Sequence, residues 1–282
     1  MGFQPIIKWI GSKRVQAKEI IKYFPKYIDT YYEPFCGGCS VAYEFLKSDD
    51  HFANKVICSD INGDLIDLWK TIQKDCEGIY KEYTRMWIEM NKLSTVELKK
   101  KYYEEVRDEF NQNRSPYLFF FLMRTCTNGV PRYNHYGQFN STFHLTRDGI
   151  SPLRLQRYIF DWRDTMTNEN IIFKKCDYKE IIYEAVSGDF LYLDPPCELT
   201  RSSGKYFGRI DYMELFGNLR MLNAQDVKWV LSWDGNKNTP DYVVVPGDCY
   251  ENKVSIVSKN WGYRITRLGM DNDNVYESLY IN

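Results

Sequence analysis

The tetrapeptide Asp194-Pro195-Pro196-Cys197 contains the residues of this chain that are best suited to chemistry. It follows the apolar run 190–193, and a Gly-Asp turn precedes that run, so the pattern predicts a buried strand ending at Asp194. In open α/β sheets, ligands bind at this end of the strands. Two consecutive prolines fix φ and remove both backbone N–H groups, which leaves carbonyl acceptors beside one carboxylate. Such a cluster suits a substrate that donates hydrogen bonds, such as an exocyclic amine, although a strand that merely ends in Asp-Pro-Pro explains these residues equally well.

Length and composition indicate a globular chain. Its 282 residues are 44% apolar, which is enough for one large domain or for a core domain with an insertion. No segment approaches the roughly 20 apolar residues of a membrane helix. The N-terminus also lacks the charged start and apolar stretch of a signal peptide. We therefore expect no membrane association.

The eight cysteines indicate reduced thiols rather than a disulfide scaffold, since no secretory signal accompanies them. Cys36 and Cys39 have the CxxC spacing of metal and redox sites, but the chain has no second CxxC. The three histidines, His51, His135 and His144, are too far apart in sequence to complete a ligand set. We expect no metal centre.

The net charge of −1 hides a local excess of arginine. Residues 114–157 contain six arginines and one acidic residue, Asp148. The arginines are Arg114, Arg124, Arg132, Arg147, Arg154 and Arg157. Arginine is well suited to phosphate and guanine contacts. A solvated basic face without a ligand remains the alternative explanation.

The elements that would position these groups form an α/β pattern in two parts. A strand, a glycine turn at 36–39, a helix over 41–46 and a strand over 55–59 outline a nucleotide-type βαβ unit. Helical patterns follow from about 63 to 162, broken by the polar stretch 127–149. Strands are then predicted at 171–173, 190–193, 229–232, 242–245 and 277–281, with helices over 18–24 and 212–222. We predict a doubly wound, Rossmann-like α/β core over 1–62 and 168–282 with a mostly helical insertion over 63–167.

The glycine turn favours a cofactor with a cationic head. Gly37 and Gly38 allow the backbone to approach a ligand closely, and Glu33 precedes them at a strand end. The GxGxxG spacing of dinucleotide binders is absent, and no helix N-terminus is dedicated to a pyrophosphate. S-adenosylmethionine fits, because it carries an ammonium and a sulfonium and no phosphate. Asp60, one strand later, would accept hydrogen bonds from both ribose hydroxyls. A plain α/β turn without a cofactor is the alternative.

These pieces, in this order, resemble the Dam-like family of DNA adenine-N6 methyltransferases, the D12 class with the α arrangement of motifs. Residues 8–13 look like the family's Lys-Trp-x-Gly-x-Lys loop, which implies that Trp9 and Lys13 lie near the cofactor's methionine moiety. Residues 33–38 are similar to the glycine loop, 60–62 to the ribose-binding strand end, and 176–178 to the step that borders the cofactor adenine. The cofactor-binding residues so implied are Trp9, Lys13, Glu33, Phe35, Gly37, Gly38, Asp60, Asp177, Tyr178 and Asp194.

The insertion resembles the target-recognition domain of the same family. Residues 128–134 and 137–140 match its Asn-Gly-x-x-Arg-x-Asn and Gly-x-Phe-Asn segments, and residues 277–282 its closing Glu-x-Leu-x-x-Asn strand. The family's arginine reads a guanine edge, which implies that role for Arg132 and suggests a GATC-like target. The family continues with Thr/Val-Pro-Phe-Gly, whereas residues 141–144 are Ser-Thr-Phe-His. The residues expected to bind DNA are Arg124, Asn128, Arg132, Asn134 and Arg147.

The resemblance implies methyl transfer to adenine N6. Asp194 and the Pro195 carbonyl would accept both amine hydrogens, so that the nitrogen lone pair points at the cofactor methyl. The base must first leave the duplex, which costs a few kcal/mol. The catalytic residues expected are Asp194, Pro195, Pro196 and Cys197.

Cys197 is the main departure from the family pattern, which has an aromatic residue, usually Tyr, stacking on the flipped base. A stack of this kind is worth roughly 1–3 kcal/mol, so its loss would lower kcat/KM about 5- to 150-fold. Tyr206 or Phe207 could supply a substitute ring. The alternative function is therefore a weakened or inactive DNA-binding relative. A cytosine-C5 mechanism through Cys197 is disfavoured by the adenine-type pattern, and a dehydrogenase by the missing GxGxxG.

The expected partner is double-stranded DNA, with a cognate restriction endonuclease as a further candidate. We expect a monomer. The expected location is the cytoplasm of a bacterial cell or a phage-infected host.

Overall fold

The structure is a computed structural model that describes residues 5–196, 210–234, 243–258 and 275–282. The strands are β1 (Tyr27–Glu33), β2 (Phe52–Asp60), β3 (Ile171–Lys175), β4 (Phe190–Leu193), β5 (Lys228–Asp234), β6 (Asn252–Ser258) and β7 (Val275–Ile281). The helices are α1 (Ala17–Ile20), α2 (Ser40–Leu46), α3 (Gly63–Asn91), α4 (Val96–Asn113), α5 (Pro116–Thr125), α6 (Pro152–Met166), α7 (Tyr178–Glu184) and α8 (Tyr212–Ala224). Within these ranges, no helix has the length and apolar character needed to span a membrane.

The seven strands form one sheet in the order β3-β2-β1-β4-β5-β7-β6. β1 runs parallel to β2 and to β4, and β4 runs parallel to β5. β7 is antiparallel to β5 and to β6. The chain proceeds outward from β1 to β2 in one direction and from β4 to β5 in the other, so the strand order reverses between β1 and β4. Ligands of open α/β sheets bind at such a reversal, outside the carboxyl ends of the strands.

Both faces of the central strand β4 are covered. Phe190 and Tyr192 contact Phe24, with ring centroids 4.5 and 5.7 Å apart. Leu191 and Leu193 belong to the opposite face, in a core cluster that also contains side chains of α7 and α8. Because successive strand residues point to opposite faces, a strand buried on both sides must be apolar throughout. This arrangement confirms the predicted α/β fold with a doubly wound core.

Internal contacts divide the chain into two compact units. The helical unit comprises Met1–Ser12, Gly37–Cys39 and Asn62–Lys175. It contains α3 to α6, and its core is unusually aromatic, with Trp69, Tyr83, Tyr103, Phe110, Phe119, Phe120, Phe121 and Trp162 fully buried. The sheet unit comprises Lys13–Cys36, Ser40–Ile61 and Cys176–Asn282, and it contains every described strand except β3.

The strand predicted over 242–245 is wrong in its described part. Residues 243–246 lie outside the strands, and the carbonyl of Val243 accepts a hydrogen bond from the Trp233 indole at 2.9 Å rather than from a neighbouring strand. The outer strand is instead β6, which pairs along its whole length with β7. Three consecutive valines have strand composition, but a strand also needs a partner, and the edge of β7 that β5 leaves open is paired with β6.

Candidate active site

Three acidic residues stand where the parallel strands of the sheet unit end. Glu33 is the last residue of β1, Asp60 is the last residue of β2, and Asp194 follows β4 directly. The register pairs Glu33 with Cys58, which puts Asp60 two residues farther along its strand. Pro195 is buried and Pro196 is half-buried, whereas Cys197, Tyr206 and Phe207 lie outside the described residues. The three carboxyl groups of the candidate site therefore lie at the ends of strands that the sequence predicts.

Lys13 joins two carboxylates in this unit. Its Nζ lies 3.0 Å from Oδ1 of Asp194 and 2.7 Å from Oε1 of Glu277. The three side chains are 14%, 21% and 10% exposed, in the order Lys13, Asp194, Glu277. Burial by itself would lower the pKa of the Lys13 ammonium, but attraction by the two carboxylates outweighs burial and raises it. The ammonium therefore stays charged through the neutral range.

Glu33 has an unusual protonation state. Burial raises the pKa of its carboxyl to about 8. The hydroxyl of Tyr31 donates a hydrogen bond to Oε2 at 2.6 Å and offsets part of this shift, whereas the negative charge of Asp194 adds to it. At pH 7 the Glu33 carboxyl is therefore mostly protonated. A cation beside it would favour release of that proton.

Two tryptophans fix the glycine turn, which belongs to the helical unit. Gly37 has a φ of +44°, and a Cβ added there would lie 2.7 Å from Cδ1 and Nε1 of Trp9. The indole N–H of Trp69 donates a hydrogen bond to the Gly37 carbonyl at 2.9 Å. Gly38 follows and is buried. Both the positive φ and the close indole ring require glycine at position 37.

The two residues predicted to border the cofactor adenine have different roles in the fold: Asp177 caps a helix, and Tyr178 packs against another aromatic ring. Asp177 is the N-cap of α7: its carboxylate accepts a hydrogen bond from the Lys179 N–H at 3.0 Å, and Glu180 completes a capping box. Tyr178 packs against Phe35, with ring centroids 5.1 Å apart and an interplanar angle of 31°. The carboxylate of Asp177 therefore holds the helix start, while the two rings offer an aromatic surface.

Three of the residues predicted to bind DNA are exposed in the helical unit. They are Asn128, Arg132 and Arg147. The backbone of Arg132 is held on both sides, since its N–H donates to Ser141 Oγ and its carbonyl accepts from the Asn140 N–H, each at 2.8 Å. A rigid backbone with an exposed guanidinium suits recognition of a base edge.

The other two predicted DNA-binding residues make contacts inside the helical unit. Asn134 Oδ1 accepts hydrogen bonds from the N–H groups of Tyr136 and Gln138 at 2.9 and 3.0 Å, which closes a hairpin turn. Arg124 donates to the carbonyl of Ile6 at 3.1 Å, and burial lowers the pKa of its guanidinium. These contacts anchor the turn and the N-terminal segment, and the DNA contacts of both residues stay predictions.

Sequence reasoning assigned no role to Glu277, Tyr31 or Lys8. Glu277 belongs to the closing family motif, which was the one available signal, but nothing in its spacing links it to Lys13. Tyr31 precedes Glu33 by two residues and so shares its side of β1. The pKa of Lys8 is lowered by burial and by the charges of Arg124 and Arg147. Only the folded chain brings these cations together.

No group of three or more His, Cys, Asp or Glu side chains within the described ranges is arranged to hold a metal ion. Cys36 and Cys39 are buried free thiols. Burial raises the pKa of the Cys126 thiol to about 12 and that of Cys76 to about 11, so both are inert at neutral pH.

Residues 9–217 match the family described as D12 class N6 adenine-specific DNA methyltransferase. The chain is 31% identical over 310 aligned residues, covering 100% of both chains, to the Type II methyltransferase M.MjaIII of Methanocaldococcus jannaschii. It is 30% identical to the DNA adenine methylase of Serratia marcescens, over 67% of this chain and 65% of that one. For the DNA adenine methylase of Escherichia coli K12 the identity is 28%, over 67% and 63%.

The chain therefore belongs to the D12 class of N6 adenine-specific DNA methyltransferases, and it is an enzyme of that class. The alternative of an inactive DNA-binding relative gains no support from these names. Among solved structures, the rRNA methyltransferase aviRa of Streptomyces viridochromogenes aligns with a TM-score of 0.40 and 11% identity, over 100% of this chain and 86% of that one. A likeness of that size supports no conclusion.

The protonation of Glu33 predicts how stability depends on pH. The unfolded chain releases this proton near the ordinary value of 4.5, whereas the folded chain keeps it up to about 8. The free energy of unfolding should therefore fall as the pH rises from 4.5 to 8. Glu33→Gln removes this penalty and keeps an acceptor for the Tyr31 hydroxyl. We expect it to raise the free energy of unfolding by a few kcal/mol at pH 8 and by much less at pH 4.5, measured by urea denaturation.

The matched control is Glu19→Gln, at an exposed carboxylate that pairs with Lys22. It should change stability by less than about 0.5 kcal/mol at either pH. An equal gain from Glu33→Gln at both pH values would show that burial of this carboxyl does not set the dependence.

Proposed function

We propose that the chain transfers a methyl group from S-adenosylmethionine to N6 of adenine in duplex DNA, with the target base turned out of the helix. The observation that carries this proposal is the position of Asp194 and Glu33 at the reversal of strand order, where one cationic and one amine-bearing ligand can meet carboxyl groups. Membership of the D12 class supports the acceptor atom.

The residues of the sheet unit fit S-adenosylmethionine. When bound, this cofactor supplies a methyl group activated by the sulfonium. Glu33 would accept hydrogen bonds from its ammonium, and the proton that burial keeps on Glu33 would then leave. Asp60 would accept hydrogen bonds from the ribose hydroxyls, and the surface formed by the rings of Phe35 and Tyr178 would border the adenine. Lys13 would lie near the methionine moiety of the cofactor, and its ammonium also holds Asp194 at 3.0 Å.

In the helical unit we assign Trp9, Gly37 and Gly38 to the same cofactor. A glycine with positive φ allows the backbone to approach a ligand closely, and the indole of Trp9 lies against the turn at Gly37. Asp177 would contribute by fixing the start of α7, which carries Tyr178. Each of these residues is proposed to bind or orient the cofactor, and none to react.

The chain's own part in the reaction is to prepare the adenine amine. Its nitrogen is a poor nucleophile because the lone pair is delocalised into the ring. Asp194 and the Pro195 carbonyl would accept the two amine hydrogens, which favours a pyramidal nitrogen. Transfer would form the bond from N6 to the methyl carbon and break the carbon–sulfur bond, and the nitrogen held by Asp194 and the Pro195 carbonyl would lose one proton to solvent. Pro195 and Pro196 lack N–H groups, so this turn presents acceptors only.

Target recognition is assigned to residues 63–167, and catalysis to 1–62 and 168–282. Arg132 would read a guanine edge, while Asn128 and Arg147 are exposed and would contact the duplex. Arg124 and Asn134 would act through the segments that they anchor. We further propose that the target sequence is GATC-like. The enzyme would be a monomer that acts on DNA inside the cell. A cognate restriction endonuclease would be a separate partner.

Asp194→Ala tests the catalytic assignment. Removing the carboxylate removes a preorganised acceptor for the amine, so transfer of labelled methyl from S-adenosylmethionine to duplex DNA should fall at least about 100-fold. Sequencing of modified bases in cells that express either form gives the target in the same experiment. Equal levels of modified adenine in both forms would show that Asp194 is not needed for the reaction. If neither form produces modified adenine, the proposed activity is wrong.

Cys197→Tyr tests the departure from the family pattern. An aromatic ring at this position should stack on the extruded base and raise kcat/KM for duplex DNA by up to about 150-fold. Cys197→Ala is the control, because it removes the thiol without adding a ring, and it should give no gain. An equal gain from both variants would mean that the thiol, and not the missing ring, limits the rate.

Arg132→Ala tests base recognition. We expect the Kd for target DNA to rise. The difference in binding free energy between target DNA and a duplex with an altered guanine should shrink by about 1–3 kcal/mol. Arg163→Ala is the control, since it removes the same charge from the same unit at a residue paired with Asp164. If both variants weaken binding to all duplexes equally, Arg132 contacts phosphate rather than a base.

A further inference from the structure

Three side chains from distant parts of the sequence form one largely buried ionic cluster, which we call the Lys13 triad: Lys13, Asp194 and Glu277. Lys13 precedes α1, Asp194 follows β4, and Glu277 lies in β7 opposite Asp234 of β5. Since β5 separates β4 from β7 in the sheet, the two carboxylates belong to strands that do not pair. The ammonium of Lys13 is the group that connects them, at 3.0 and 2.7 Å.

The triad has an unequal charge balance. One ammonium serves two carboxylates that are about four-fifths or more shielded from solvent. A third carboxyl, Glu33, is close enough for the charge of Asp194 to raise its pKa, and it carries a proton at neutral pH. The described titratable groups that act on this cluster are Lys13, Asp194, Glu277, Glu33, Tyr31 and Tyr192. One negative charge therefore remains after pairing.

The unequal balance matters for an acceptor. A carboxylate paired exclusively with an ammonium is a weaker acceptor, because the cation draws on the same lone pairs. A carboxylate buried beside other carboxyls with no cation would instead take up a proton and lose its acceptor role. Sharing the ammonium between two carboxylates avoids both outcomes: Asp194 stays ionised, and part of the attraction of Lys13 is directed to Glu277.

We propose that Glu277 is a positioning residue for methyl transfer: it holds the Lys13 ammonium between itself and Asp194, so that the shared ammonium keeps Asp194 ionised while Glu277 keeps it oriented and able to accept the adenine amine hydrogen. This inference rests on the proposed function of Asp194. Glu277 contacts neither adenine nor cofactor in this role, and it acts only through Lys13.

The kinetic test compares kcat against pH in Lys13→Met and Glu277→Gln. Without the ammonium, Asp194 protonates more readily, so the acidic limb of the profile should move to higher pH by about 1–3 units. Without the Glu277 charge, Lys13 acts on Asp194 alone, and the limb should move to lower pH. In Glu277→Gln the plateau kcat should fall about 10- to 100-fold because Asp194 is drawn out of place, with KM for DNA little changed.

The second test measures stability and does not depend on activity. Lys13→Met leaves two buried carboxylates without a cation, so the thermal midpoint should fall, and more at pH 8 than at pH 5. Adding Glu277→Gln should restore part of the loss, since fewer charges are then uncompensated. A double variant less stable than Lys13→Met alone would overturn the proposed coupling.

Two controls complete the design. Lys13→Arg keeps the cation and should keep the acidic limb near its original position. Arg220→Met breaks an exposed ion pair of the same unit, with Asp248 at 2.7 Å, and should move neither the limb nor the plateau. Limbs that move in the same direction in Lys13→Met and Glu277→Gln would overturn the triad while leaving the activity of Asp194 intact. Coupling in stability together with no methyl transfer by the unmodified chain would instead overturn the proposed function.

Discussion

The carboxyl groups at the ends of β1 and β4 cannot all be ionised in a buried setting without compensation. Removing one partner of a buried ion pair costs about 3–5 kcal/mol, because the other charge is left uncompensated. The chain meets this constraint in two ways: Glu33 holds a proton, with its pKa raised to about 8, and Asp194 shares the ammonium of Lys13 with Glu277. The first way keeps a carboxyl neutral, and the second keeps one ionised. The two strand ends thus differ in protonation although they stand side by side.

The difference between Glu33 and Asp194 agrees with their proposed tasks. A group that binds a cationic cofactor can be protonated until the cation arrives, whereas a group that accepts hydrogens from a neutral amine must be ionised beforehand. Stability and the proposed role also oppose each other at Glu33, because a carboxyl that is costly to bury stands where a neutral amide would cost less. Local cost of this kind is typical of functional sites.

The helical unit shows why a count of arginines is a poor guide to a DNA-binding surface. Arg132 and Arg147 are exposed, whereas the guanidinium of Arg124 donates to the backbone of the N-terminal segment. Arg114 is also engaged, since it pairs with Asp64 at 3.1 Å and donates to the Gly137 carbonyl at 2.6 Å. Some of the described arginines between residues 114 and 157 therefore hold loops in place, and others are exposed and available to a polyanion.

The fold class, the glycine turn, the family and the strand-end positions of Glu33, Asp60 and Asp194 could all be predicted from the amino-acid sequence. These features are local: apolar runs, glycines and acidic residues at fixed offsets specify strands and the turns that follow them. Motif order then specified the chemistry. The strand predicted at 242–245 failed because composition does not choose a pairing partner, and β6 has that partner.

Which charged groups meet depends on the folded chain. Glu277 reaches Lys13 from the far end of the chain, Tyr31 donates to Glu33, and Arg124 turns toward Ile6. None of these contacts follows from spacing, because the energy of a charge depends on its burial and on neighbours that the fold brings together. The sequence therefore predicts candidate groups for the chemistry, and the fold sets their protonation and contacts.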